Sequence, residues 1–116
     1  MNRVHLIIRH APNGSLAAME LIDLALVSAT FSVPTQIFLE GPGVWHALPS
    51  APSVLNYSIR GRLDSIGLYE MPPMIVDGEA LAAFGLTIHE LMPPVELLDH
   101  ATYVAYSRNA DVILEV

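Results

Sequence analysis

Val4-His5-Leu6-Ile7-Ile8-Arg9-His10-Ala11-Pro12-Asn13-Gly14-Ser15 is the stretch on which the fold turns. A short β-branched apolar run reads as a strand. It stops at a loop punctuated by Pro12 and Gly14. From Ser15 the chain reads as a helix over residues 15–31. Its apolar residues run nearly all the way round, with Glu20 and Asp23 together on the polar side. A helix of that kind is buried or sits at an interface.

The same strand–loop–helix order repeats outward from there. Pro34 opens a second strand, Thr35-Gln36-Ile37-Phe38-Leu39, where a first-position proline costs no ladder hydrogen bond. Glu40-Gly41-Pro42-Gly43 is a turn, followed by Val44-Trp45-His46-Ala47-Leu48 and a loop with Pro49 and Pro52. Ser53 can cap a second helix to about Ile66, because Leu55, Ile59, Leu63 and Ile66 fall near one face. Gly67 suits its end. Met74-Ile75-Val76 is a third strand. Asp77 is the N-cap of a short helix to Phe84, stopped by Gly85. A weak fourth strand is expected over 88–91. Pro94 is expected in the first turn of a last helix to about Arg108, and Asp111-Val112-Ile113-Leu114 is a terminal strand. Strands alternating with helices imply one domain over residues 1–116. Its expected form is a three-layer α/β/α sandwich with a mainly parallel sheet of about five strands.

Composition narrows the function classes. Only 15% of the 116 residues are charged, against about 25% in ordinary domains. The excess of apolar residues favours a chain that lives in an oligomer. The net charge is -7, lysine is absent, and the basic residues are Arg3, Arg9, Arg60, Arg62 and Arg108. No basic patch of the kind that displaces counterions from nucleic acid is visible. An anionic membrane surface is disfavoured for the same reason. The most apolar stretch, residues 16–27, contains two acids and is too short to span a bilayer. No signal peptide is legible, so a cytoplasmic location is expected. The sequence has no cysteine, which excludes disulfides, thiolate chemistry and zinc–cysteine sites.

Ligands of open α/β sheets bind beyond the carboxyl ends of the strands. The candidate polar groups there are His10, Asn13, Gly14, Ser15 and Asp77. A P-loop is excluded without lysine, and the first loop lacks a dinucleotide-binding glycine pattern. Gly41-Pro42-Gly43 reads as a structural turn. Asp77 ends a strand as a phosphoacceptor would, but Arg9-His10 ends the first strand without the acids a magnesium site needs. The five histidines show no metal-ligand spacing. A base at His10 with Ser15 or Asp77 lacks a complete acid, base and nucleophile set. No cofactor or metal is expected. Val44, Trp45 and His46 are candidate interface residues.

Several segments together carry a resemblance. Arg9-His10-Ala11-Pro12-Asn13-Gly14-Ser15 with Glu20-Leu21-Ile22-Asp23-Leu24, the stretch Phe38-Leu39-Glu40-Gly41-Pro42-Gly43-Val44-Trp45, Gly67-Leu68-Tyr69, and Asp111-Val112-Ile113-Leu114 occur in the order found in the TusC/DsrF type of the DsrE-like family. The chain resembles that type over nearly its whole length, with one residue, Pro42 or a neighbour, inserted. The resemblance implies a subunit of a sulfur-relay complex. Its partners would be cysteine-bearing DsrE/TusD-like and DsrH/TusB-like subunits in a heterohexamer. The complex would serve tRNA 2-thiouridine synthesis or sulfur oxidation. The relay subunit of the family carries a persulfide cysteine after the third strand, and that slot falls at or near Asp77 here. The implied role is therefore scaffold without covalent sulfur chemistry.

Overall fold

The computed structural model describes residues 3–11, 17–48, 71–91 and 94–116. Five parallel strands form one sheet in the order β4-β3-β2-β1-β5. They are β1 (Val4–Ile8), β2 (Thr35–Leu39), β3 (Met74–Asp77), β4 (Val95–Leu98) and β5 (Val112–Glu115). The described helices are α1 (Ala17–Thr30), α2 (Gly78–Phe84) and α3 (His100–Ser107). This is the expected α/β sandwich.

Side-chain alternation divides the strands between two faces. Leu6, Ile8, Ile37, Leu39, Met74 and Val76 point to one side and pack on Ala18, Met19, Ile22 and Ala25 of α1 and on Ala80 and Leu81 of α2. Ile7, Phe38 and Ile75 point to the other and meet Tyr103 of α3, with Leu98 and Tyr106 against them. Right-handed crossovers explain the split. From β1 through β4 the chain steps in one direction across the sheet, so α1 and α2 share a face. The return from β4 to β5 reverses direction and places α3 opposite.

Near the carboxyl end of the chain, two expectations are corrected. Residues 88–91 are not a strand: Ile88–Glu90 form a single 3-10 turn. Glu90 accepts there from the Thr87 backbone N–H at 3.0 Å. The fourth strand is Val95–Leu98, and Pro94 precedes a strand rather than opening a helix. The Pro94 carbonyl accepts from Met74 N at 3.0 Å, which starts the β3–β4 ladder. The last helix begins only at His100, because Asp99 caps it by accepting from Thr102 N at 2.7 Å. Composition hid β4 from the sequence, because Glu96, Leu97 and Leu98 suit a helix as well as a strand. Its four residues are half-buried or exposed, and Val95-Glu96-Leu97-Leu98 lacks the apolar run of an inner strand. The helix expected over residues 53–66 lies outside the described residues.

The Gly41–Pro42–Gly43 turn is the start of a 3-10 segment, Gly41–Ala47. Gly43 lies on the end of β1: a Cβ there would stand 2.0 Å from the Ile8 carbonyl oxygen. This contact fixes the exit of β2 against the neighbouring strand. No helix among the described residues is long and apolar enough to cross a membrane.

Candidate functional site

Asp77 is both the last residue of β3 and the N-cap of α2. One carboxylate oxygen, Oδ1, accepts from Glu79 N at 3.0 Å. The residue is only 5% exposed. The second oxygen, Oδ2, accepts from Nδ1 of His100 at 3.0 Å. Glu79 Oε2 stands 2.8 Å from the same nitrogen. The β3–β4 register makes this meeting possible. Asp77 lies opposite Leu98, so the first turn of α3 opens beside it.

Two carboxylates on one ring nitrogen hold a proton at Nδ1. The Nε2 of the neutral ring is then a lone pair, and the His100 side chain is 54% exposed. The hydrogen bond to Asp77, with the negative charges of Asp77 and Glu79, raises the His100 pKa above the ordinary histidine value of 6.5. A buried acid orienting an exposed imidazole is the arrangement of a general base. The three residues also bring ligating atoms within 4.8 Å of one another. A proton on Nδ1 shared by the two carboxylates accounts for that geometry.

Glu40, just beyond β2, anchors a second polar network. It accepts from the Tyr103 hydroxyl at 3.0 Å and from Arg108 Nη1 at 2.9 Å. Arg9 lies 3.6 Å from it and pairs with Glu115 at 2.9 Å. Burial pushes the Glu40 carboxyl up, but the hydrogen bonds from Arg108 and Tyr103 and the two guanidinium charges outweigh it, and the net shift is downward. Burial, followed by the Glu40 charge, holds the Tyr103 hydroxyl far above its usual value. It is a donor at any working pH.

His10 is exposed at the end of β1. Its carbonyl oxygen lies 2.8 Å from Nε2 of His46. A carbonyl only accepts, so His46 carries its proton on Nε2. Its Nδ1 is a buried acceptor with no partner among the described residues. Burial lowers the His46 pKa and keeps the ring neutral. His46 and His10 line a cavity of about 360 Å³ with Arg9, Ala11, Ala17 and Glu115.

The candidates named from sequence therefore separate. Asn13, Gly14 and Ser15 lie outside the described residues. His10 contacts His46, whereas Asp77 pairs with His100. Val44 and His46 are buried within the chain, so neither offers surface to a partner. Trp45 is half-buried, edge-on to Phe84 with ring centroids 5.2 Å apart. The residue missed from sequence is His100. It lies 23 positions from Asp77, and only the β3–β4 pairing brings the two together.

No curated protein matches the sequence. Among solved structures, the chain is similar to the ychN protein from E. coli, whose crystal structure superposes with a TM-score of 0.82 over 100% of both chains. Identity is 19%, so this likeness speaks to the fold. A family model described as DsrE/DsrF-like matches residues 2–116. With that model spanning nearly every residue, the chain belongs to the DsrE/DsrF-like family.

Proposed function

We propose that this protein is a cysteine-free subunit of a sulfur-relay complex, of the TusC/DsrF type. Membership of the DsrE/DsrF-like family implies a function related to sulfur relay. The observation that carries the finer reading is Asp77. It occupies the strand-to-helix position at which the resemblance places a persulfide cysteine, and a carboxylate cannot hold a transferable sulfur. With no thiol anywhere in the sequence, the chain contributes shape, contacts and polar groups to partners that carry the sulfur. Those partners are cysteine-bearing DsrE/TusD-like and DsrH/TusB-like subunits, two copies of each chain completing a heterohexamer. The setting is the cytoplasm, and the end product is thiolated tRNA or oxidised sulfur.

Surface character supports an assembled state. Leu24 and Val27 on α1 and Phe31 just past its end are exposed, as are Val112, Ile113 and Leu114 along β5. Patches of that kind mark interaction sites. Co-expression with cysteine-bearing family members should give a stable complex that survives size-exclusion chromatography. A well-behaved monomer that ignores them, or sulfur-transfer turnover by the isolated chain, would overturn the proposal.

The cavity beside His46 favours a second reading, a homo-oligomer that binds a small ligand at the carboxyl ends of the strands. The cavity itself, lined by Arg9, His10 and His46 at that end of the sheet, is the specific observation behind it. Thermal-shift measurements with nucleotides and phosphorylated metabolites test it, because a ligand of the folded state alone raises the melting temperature.

A further inference from the structure

Within a relay complex that moves sulfur between thiols, a subunit without cysteine can still move the proton. Thiol-to-persulfide transfer needs a thiolate, and an unperturbed thiol is mostly protonated at neutral pH. Asp77 and His100 supply what the step lacks. Asp77 is buried and already fixed as a helix cap. It and Glu79 hold the Nδ1 proton of His100 at 3.0 and 2.8 Å. The tautomer is thereby set, and the basic lone pair is on Nε2, on a half-exposed ring with no further partner among the described residues. The pair sits at the carboxyl end of β3, the end of the sheet where this class of fold presents its chemistry.

We infer that His100 is the proton acceptor for a partner's thiol docked at the carboxyl end of β3, with Asp77 as its positioning residue. The inference rests on the sulfur-relay reading. The step balances without an oxidant. The acceptor thiol R–SH gives its proton to Nε2 of His100. The thiolate attacks the terminal sulfur of a persulfide R′–S–SH, and a new S–S bond forms as the old one breaks. The bonding pair leaves on R′–S⁻, which takes the proton back from His100. The products are R–S–SH and R′–SH.

The groups facing His100 are Asp77 from β3, Glu79 from α2, Asp99 at its own helix cap and Glu40 from the end of β2. All are acids, and the hydrogen bond to Asp77 with the charges of Asp77, Glu79 and Glu40 raises the pKa. The free base therefore accumulates above the ordinary histidine range, and transfer should accelerate with pH through a midpoint above 6.5.

Two substitutions separate proton transfer from structure. In His100→Asn the amide N–H can replace Nδ1–H toward Asp77, while the base is gone. In Asp77→Asn the cap to Glu79 N is kept, because asparagine caps as well as aspartate, but the oxygen facing Nδ1 becomes a donor. The assay uses the complex assembled with its cysteine-bearing partners, glutathione persulfide as donor and the partner's thiol as acceptor, followed by mass shift. Expected for His100→Asn is an intact complex with transfer slowed about 100-fold at neutral pH, the low end of general-base contributions. Asp77→Asn should move the pH midpoint down toward 6.5. An intact His100→Asn complex with wild-type rate and pH profile overturns the inference and leaves the relay reading standing. Failure of the wild-type chain to assemble removes the relay reading, and this one with it.

Discussion

His100 has a consequence for stability that is independent of any reaction. Its pKa is raised in the folded protein by the hydrogen bond to Asp77 and by neighbouring acids. Folding is therefore favoured by protonation of this group. That contribution is complete below the unfolded value of about 6.5 and is lost as pH rises through the folded pKa. His100→Asn should narrow its stability gap to the wild type between pH 6 and 9, measured as urea midpoints. A gap that stays constant over this range would show that the imidazole does not titrate against Asp77. Glu40 gives a second test. Glu40→Ala removes the acceptor of Tyr103 and Arg108, leaving a buried hydroxyl without a partner. A loss of about 1–3 kcal/mol is expected from that orphaned donor, with Glu40→Gln milder. At this scale the sequence was half legible. Asp77 could be read as a cap because that role is local and depends on residue type. Its partner could not, because His100 reaches it through strand pairing across 23 positions.

Among the elements, legibility followed the run of β-branched and apolar residues rather than burial. The exposed edge strand β5 could also be read within a residue of its bounds, through Val112-Ile113-Leu114. β1, β2 and β3 lie inside the sheet, and their apolar runs could be read within a residue of their bounds. β4 carries a charged residue and two leucines, so its composition suits a helix equally well. Pro94 added to the ambiguity, since proline is tolerated at the first position of both elements. The strand prevails because its backbone pairs with β3, a long-range term that local propensity does not contain. The 3-10 segment after β2 was legible only as a turn. Its close approach to β1 makes Gly43 a structural requirement. Gly43→Ala would place a methyl against the Ile8 carbonyl, where backbone and not a flexible side chain must shift. Destabilisation at or beyond the upper end of the ~1–3 kcal/mol typical of overpacking is expected, read from chemical denaturation. Gly85 contrasts with it: φ is +67° but a Cβ would meet nothing within 4 Å. Alanine there should cost about 1 kcal/mol, the left-handed penalty alone.

Among the described residues, a two-sided core is combined with apolar surface that stands exposed. The sequence anticipated an unsatisfied first helix, since its apolar residues run nearly all the way round. The structure divides that surplus. Ala18, Met19, Leu21, Ile22 and Ala25 face the sheet. Leu24, Val27 and Phe31 stand on the far side, Phe31 with 76% of its surface exposed. The sheet order was not legible, because composition does not say which strand lies beside β1. That order leaves β5 at an edge with Val112, Ile113 and Leu114 exposed. A stable protein–protein interface buries about 1,200–2,000 Å² in total, and its centre is apolar. The α1 stripe has the apolar character such a centre needs. Val27→Lys with Phe31→Lys should leave the melting temperature nearly unchanged, because exposed substitutions usually stay within about 0.5 kcal/mol. The same pair should abolish co-purification with cysteine-bearing partners and make the isolated chain more soluble. Retained assembly with unchanged stoichiometry would move the interface off α1. The exposed β5 edge would then be the surface to change next, with Ile113→Lys as the corresponding variant.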